Sequence, residues 1–396
     1  MRAPVPFVAP SVPVPAAPLI RTDVALSDID PEVWDALAPD QPLLSHAFLT
    51  ALHQTGCASR RTGWTPRFIT AWRGHALAGA LPLYAKSHSY GEYVFDWAWA
   101  DAYRRYGRRY YPKLVAAIPF TPVPGPRLLA PDAPTRRALL DRALDLVADG
   151  QYSSLHVLFL DAEQADEAQA RGMIRRTGMQ FHWRNQDYRD FTDFLSVLTH
   201  DKRKKIKQER RKVAESGLRF LRKSGYDISA ADWAFFHRCY EHTYSAHHST
   251  PYLSLEFFQR LGEILPENTL LIVGTIDDQP VCAALDVYTD HTLWGRYWGS
   301  NVPLRGAHFE ACYYQAIEFC IERGIACFEG GAQGVHKLAR GLLPVATHSA
   351  HAIGDHAFAS AIADYCARER VDIAHSVDEL EQSSPFKHVV EASSPQ

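Results

Sequence analysis

GRYWGSNVPLRGAHFEACYYQAIEFCIERGIACFEGGAQGVHKLARGLLPV, residues Gly295–Val345, decides how the chain folds. It opens inside an aromatic run, Thr292 to Ser300, which suits a strand. A loop containing Pro303 and Gly306 follows. From His308 to Arg323 the residues Phe309, Cys312, Tyr313, Ala316, Ile317 and Cys320 recur at i, i+3, i+4 and i+7, the stripe of a helix with one buried face. Gly324 is placed to end that helix. Ile325 to Gly330 reads as a second strand and Pro344 to Ile353 as a third. Cys312 and Cys320 fall on the buried stripe, so they are packing residues rather than nucleophiles.

Strand–helix alternation continues upstream. Thr269 to Ile276 and Gln279 to Tyr288 predict a hairpin turning at Asp277-Asp278, preceded by helices over Ala230 to Ser245 and Ser254 to Leu265. Earlier comes a charged helix, Asp190 to Ser216, with Gly217 as its stop. The first part of the chain runs from a helix at Pro42 to Ala58, through strands at Pro66 to Trp72 and Ala76 to Tyr84, to an aromatic stretch without clear period. A helix (Thr135 to Asp149), a strand (Ser154 to Leu160), a helix (Ala162 to Thr177) and a strand (Phe181 to Tyr188) follow. Downstream, Ala357 to Arg370 reads as a last helix before a polar tail of about 15 residues. The fold class is α/β (α+β layered).

A length of 396 residues, at roughly 100–200 per domain, predicts two domains. The formal net charge of −3 excludes a global basic field, so an anionic partner must meet a local patch. Tyr and Trp number 18 and 9, an excess that suits a lined groove as well as core filling. The cysteines number 7, an odd count without a CxxC, which argues against a disulfide framework and for a reducing, cytoplasmic compartment. No apolar run reaches the ~18 residues of a membrane span. His242, His247 and His248 cluster in sequence, and His348 and His351 sit near a strand. An i, i+3 pair on a strand faces opposite ways, and no HExxH occurs, so no metal is expected.

HDKRKKIKQERRKVAESGL (His200–Leu218) resembles the basic helix that opens the second domain of Fem-type transferases. The opening quotation resembles their closing strand–helix–strand, in which an aromatic strand, a helix and an acidic-Gly-Gly turn precede a lysine. SHSYGEYVFDWAWADAYRRYGRRYYPKL (Ser87–Leu114) and PFTPVPGPRLL (Pro119–Leu129) resemble a bacterial FemAB-like subfamily of N-acyltransferases or peptidoglycan biosynthesis/recognition proteins. The resemblance runs from about Leu43 to Ile353. It implies tandem GNAT-like (acyl-CoA N-acyltransferase) domains in a Fem-type arrangement. The expected division is a Pro-rich disordered arm over 1–20, a first domain over 21–189, a second over 190–356 opening with the basic helix, and a C-terminal helix and frayed tail over 357–396.

Fem enzymes move an amino acid from aminoacyl-tRNA onto an amine of a peptidoglycan precursor, and other GNAT enzymes use acyl-CoA. The resemblance therefore implies direct acyl or aminoacyl transfer to a small-molecule or peptide amine. Either donor would be a co-substrate, with no tightly bound cofactor and with tRNA as a partner if it is the carrier. The usual CoA loop, Arg/Gln-x-x-Gly-x-Gly/Ala before a helix, cradles phosphate on backbone N–H groups. Here SNVPLRGAHFE keeps only Arg305-Gly306-Ala307 of it. Two rival readings are an acyl-CoA enzyme with a divergent phosphate loop and a GNAT-like module that binds a ligand without turnover. The sequence does not fix the oligomeric state.

Such transfer needs a base for the amine proton, donors for the developing oxyanion, and a surface for the carrier. Lys337 matches the family's lysine by position, against its ordinary reading as a surface loop lysine. Glu329 and Glu310 are candidate bases, although an acidic residue at a helix start, as Glu310 is, also answers the helix dipole. Asp96, between Phe95 and Trp97, is a further candidate base or amine anchor. Lys86, Tyr90, Glu92, Trp97, Trp99, Tyr103 and Tyr111 are expected to line a substrate groove, with Gly330 and Gly331 letting backbone approach the ligand. Lys204, Lys205, Arg211 and Arg305 are the expected carrier-phosphate contacts, although a charge run is more often simply solvated.

Overall fold

Why the chain makes these elements is clearest at its breaks. Pro82 splits one expected strand into Ala76–Leu81 and Leu83–Lys86, because proline has no N–H for the ladder. Gly172, at φ 84, ends the helix Ala162–Ala170 earlier than its polar run suggested, and the next residues join a strand instead. Asp277 and Asp278 both take positive φ, 47 and 58, which is the tight hairpin turn expected there. The structure, a computed structural model, describes residues 17–332 and 334–387. Residues 1–16 of the Pro-rich arm, and 388–396 of the tail, lie outside the described residues. Leu19 and Ile20, counted with the arm, are already strand and pair with Trp72 and Ala71.

In chain order the strands are β1 (Leu19–Thr22), β2 (Trp64–Pro66), β3 (Ile69–Arg73), β4 (Ala76–Leu81), β5 (Leu83–Lys86), β6 (Lys113–Ala116), β7 (Ser154–Leu160), β8 (Ile174–Arg184), β9 (Arg219–Ser224), β10 (Thr269–Ile276), β11 (Gln279–Tyr288), β12 (Thr292–Ser300), β13 (Cys327–Ala332) and β14 (Leu343–Ile353). A small sheet has the order β1-β3-β4. A large 11-stranded sheet has the order β2-β5-β6-β7-β14-β8-β13-β12-β11-β10-β9.

That large sheet carries the tandem arrangement. Antiparallel strands lead on each side to one short parallel pair, β6 with β7 and β12 with β13. The hairpin β10–β11, the strand β12, a loop, the helix over 307–323, β13, a loop and β14 follow in the GNAT order. Between the parallel pairs the last strands of the two halves are exchanged. β14 pairs with β7, and β8 pairs with β13.

The expected charged helix over Asp190 to Ser216 is two, Phe191–Val197 and His200–Glu215. The second ends before Gly217, at φ 78, as expected. The expected helix over Ala162 to Thr177 stops at Ala170, and the strand placed at Phe181 to Tyr188 is instead β8. The final helix runs from His356 to Gln382, past the expected Arg370. Its face over Ile362 and Cys366 is buried with Trp99, Tyr103 and Tyr110, which supplies the apolar contact that holds it.

Candidate active site

The parallel pair in the second half is brief. β13 meets β12 only where Thr292, Leu293 and Trp294 face Cys327, Phe328 and Glu329. β12 runs on to Ser300 beside β11, while the β13–β8 ladder becomes irregular between Glu329 and Ala332. The two strands thus lose their pairing just after Glu329, and Gly331, at φ 77, turns the chain there. Gly330 is closely packed, since a Cβ would lie 2.5 Å from Leu342 Cδ2 and 3.2 Å from Phe181 O.

Glu329 faces His182 across the β8–β13 ladder, with Cys327 two residues away on the same face. The Glu329 Oε2 atom is buried and has no hydrogen-bond partner among the described residues. Burial pushes this carboxyl up to about 8, against the pull of Arg184, the nearby Trp294 indole N–H and Arg127. Burial holds His182 down to about 4, with Arg184 and Lys337 adding to the effect. One donor atom from each of His182, Cys327 and Glu329 lies within 4.8 Å of the others.

Lys337 sits in a 3-10 turn, Val335–Arg340, and is buried. Its Nζ donates to Gly331 O at 2.9 Å. The lysine therefore folds back over the Gly-Gly turn instead of standing in solvent. Burial lowers its ammonium to about 8.

Glu310 is in another situation. It is buried and accepts from Arg210 Nε at 3.1 Å, Arg210 Nη2 at 2.9 Å and Gln315 Nε2 at 2.8 Å. Arg210 also reaches Glu318 at 2.8 Å. Glu310 thus ties the basic helix to the helix over 307–323.

In the first half, Lys86 and Lys113 lie directly opposite on β5 and β6. Like charges so placed repel, and two carboxylates from the aromatic stretch offset them. Lys113 Nζ donates to Glu92 Oε2 at 2.7 Å, to Ser89 Oγ at 2.9 Å and to Asp96 Oδ2. Lys86 Nζ donates to Tyr90 O at 3.1 Å and lies 3.6 Å from the Trp64 ring centroid. Tyr110 OH donates to Asp96 at 2.6 Å, and His156 continues the network to His351 at 2.7 Å. Burial alone would raise Asp96, yet Lys113 and His156 bring it down to about 2. Asp96 is thus held as an ion-paired carboxylate within the buried network.

Lys86, Glu92, Trp99 and Tyr103 are buried as well, and do not line an open groove. Trp99 packs edge-on to His351 at 5.0 Å, and Tyr103 stacks on Phe358 at 4.1 Å. Trp97 and Tyr111 do line an open groove of about 740 Å³, together with Arg104, Arg108 and Arg109. Tyr90 is exposed and meets the Trp97 ring at 4.8 Å.

Along the basic helix, Ile206 and Val213 face inward, while Lys204, Lys205, Lys207, Arg211 and Lys212 are exposed. Of these, Arg211 alone has an ion pair among the described residues, with Glu215 at 3.5 Å. Arg305 is exposed too. The start of the helix over 307–323 is closed against this basic helix. Ala307 is fully buried with Val213, Leu218 and Cys282, and a Cβ on Gly306 would lie 3.1 Å from Val213 Cγ2. In the first half, the helix Ala133–Ala148 is capped by Asp132, which accepts from Thr135 N at 2.9 Å and pairs with Arg73. In the first half a protein carboxylate thus takes the place where a phosphate would meet helix N–H donors, whereas the helix start at Gly306 carries no side-chain cap.

Sequence reasoning passed over Lys113, His156, His182 and Cys327. Lys113 and His156 stood among aromatic or apolar neighbours with no spacing to mark them. His182 and Cys327 come together only through the β8–β13 register, which no local pattern announces.

A family model described as FemAB-like, peptidoglycan biosynthesis/recognition, matches residues 25–388. No curated protein matches the sequence. Among solved structures, FemX superposes with TM-score 0.52 at 11% identity, covering 84% of this chain and 97% of that one. The C-terminal domain of an Agrobacterium fabrum protein assigned as a lysylphosphatidylglycerol synthetase gives TM-score 0.52 at 11% identity, covering 86% and 96%. At such identities the likeness is one of fold. Among the described residues no helix is long and apolar enough to cross a membrane.

Proposed function

The chain belongs to the FemAB-like family, and from that premise we propose that it is an N-acyltransferase moving an aminoacyl group from tRNA directly onto an amine of a peptidoglycan precursor or related peptide. The observation that carries this reading is Glu329. Its buried Oε2, with the Trp294 indole nearby and no hydrogen bond of good geometry among the described residues, lies where β12 and β13 lose their pairing, beside a glycine turn over which Lys337 is anchored.

In the reaction, the acceptor nitrogen attacks the ester carbonyl carbon. The new C–N bond forms as the ester C–O bond breaks, and the leaving tRNA oxygen receives, through Glu329, the proton that the amine nitrogen gives up. Glu329 takes the proton that the amine nitrogen loses. The Lys337 ammonium places positive charge beside the carbonyl oxygen as negative charge develops on it. No covalent enzyme intermediate is needed.

Two features favour tRNA over CoA as the carrier. The first-half helix start that would cradle a pyrophosphate is capped by Asp132. The basic helix, by contrast, presents exposed Lys204, Lys205, Lys207 and Arg211. Such a stripe meets a nucleic-acid backbone without reading its sequence.

The test is transfer of radiolabelled amino acid from a charged tRNA pool to UDP-linked and peptide amine acceptors, beside a parallel set of acyl-CoAs. Transfer from tRNA that Glu329→Gln abolishes supports the reading. Transfer from an acyl-CoA alone would overturn the choice of carrier, and turnover with neither would favour a binding module.

A further inference from the structure

We propose that His182, Cys327 and Glu329 form a zinc site whose occupancy switches the transferase off by taking the lone pair of its base. The site stands on geometry alone, and only the inhibition rests on the function proposed above.

Two residues come from β13 and one from the strand beside it, so a rigid ladder positions all three. Their donor atoms lie within 4.8 Å of one another. A tetrahedral ion bonded at ~2.0–2.3 Å holds its donors roughly 3.3–3.7 Å apart, so small side-chain rotations close the site. One nitrogen, one sulfur and one carboxylate oxygen form a mixed donor set of the kind that suits Zn²⁺. Three protein donors leave one position of a tetrahedral ion to be filled from outside this set.

The neighbours orient the histidine as a ligand needs. Gln180 Nε2 donates to Pro122 O at 2.8 Å, which turns the amide oxygen toward His182. That oxygen then accepts from His182 Nε2 at 3.3 Å, leaving Nδ1 as the ring's lone pair. The Glu329 Oε2 atom, buried with no hydrogen-bond partner among the described residues, is a ready ligand. Arg184 and Lys337 bring opposing positive charge. Arg184 is exposed and free to turn outward, and the thiolate with the carboxylate balances the two charges of the ion. Binding displaces the Cys327 thiol proton to solvent as the S–Zn bond forms.

The experiment is equilibrium dialysis of the full chain against zinc sulfate alone, with cobalt(II) absorption as a second readout. One equivalent of zinc, a thiolate-to-cobalt charge-transfer band, and loss of both in Cys327→Ala are expected. Gln180→Ala should weaken zinc affinity ~10-fold or more while the band persists. Absence of saturable binding, or binding that survives Cys327→Ala and His182→Gln unchanged, would overturn the site. The cobalt band needs no variant to fold, and circular dichroism verifies the variants. Zinc that binds stoichiometrically yet leaves aminoacyl transfer untouched would overturn the switch through Glu329 and leave the site standing.

Discussion

Lys113→Met probes the buried charge network most directly. Lys113 Nζ serves Glu92, Asp96 and Ser89, and is fully buried. Methionine keeps much of the volume and removes the charge. Glu92 is then left with Lys86 at 3.9 Å, and Asp96 with Tyr110 as its hydrogen-bond donor. Removing one partner of a buried ion pair costs ~3–5 kcal/mol, because the other charge stays desolvated. At ~2.1 cal/mol/K per residue, the unfolding entropy of a 396-residue chain is roughly 0.8 kcal/mol/K, so ~4 kcal/mol lowers Tm by about 5 °C. Scanning calorimetry at neutral pH measures it. The same substitution in a Glu92→Gln, Asp96→Asn background should cost at least ~1 kcal/mol less, since no carboxylate is stranded. A shift below ~1 °C, or equal shifts in the two backgrounds, would refute the reasoning that these ions depend on one another.

Glu329→Gln should lower kcat for aminoacyl transfer ~10²–10⁴-fold with KM little changed; a variant of wild-type rate removes Glu329 as the base. Reversing Lys204 and Arg211 to Glu should weaken tRNA binding and flatten its salt dependence by about two units of slope in a log–log plot, read by filter binding. Unchanged slope would place the carrier elsewhere. Burial lowers His53 to about 4 and His156 to about 3. Below an unfolded value of ~6.5 the unfolded chain takes up protons that the folded chain refuses, so stability falls from pH ~6.5 down to about 4 for His53 and about 3 for His156, by at most ~1.4 kcal/mol per pH unit for each histidine. Urea midpoints should drop across that window, and His53→Gln with His156→Gln should flatten the drop. A flat profile in the parent protein contradicts this.

The strands and helices from Thr269 to Arg323 were legible because their signals are local, namely alternation, a two-residue turn and a 3.6-residue stripe. The β10 and β11 ranges, Thr269–Ile276 and Gln279–Tyr288, are those the sequence predicted. The stretch around Trp97 was not legible. Its helix, Trp97–Arg105, buries only Trp99 and Tyr103, a stripe one turn long that sits among exposed aromatics such as Trp97 and Tyr106 and against the distant last helix. The same difficulty governs the site. Glu329 and Lys337 stood out by their place in a strand–turn motif. His182 entered only once β8 was seen to lie beside β13, a pairing between residues far apart in the chain. For Glu310 and Asp96 the sequence showed the carboxylate but not the Arg210 or Lys113 that pairs with it.

The exchange of β8 and β14 has a consequence for biosynthesis. At a ribosome speed of ~5–20 residues per second, β14 is made roughly ten to forty seconds after β7. Throughout that interval β7 and β8, its two partners in the finished sheet, keep open edges of the kind that recruit other chains. The nascent first half is therefore an unfinished sheet and not a folded domain, and cell extracts depleted of holding chaperones should yield aggregates from chains stalled before Leu343. Release of the C-terminal stretch closes the centre of the molecule in one late step.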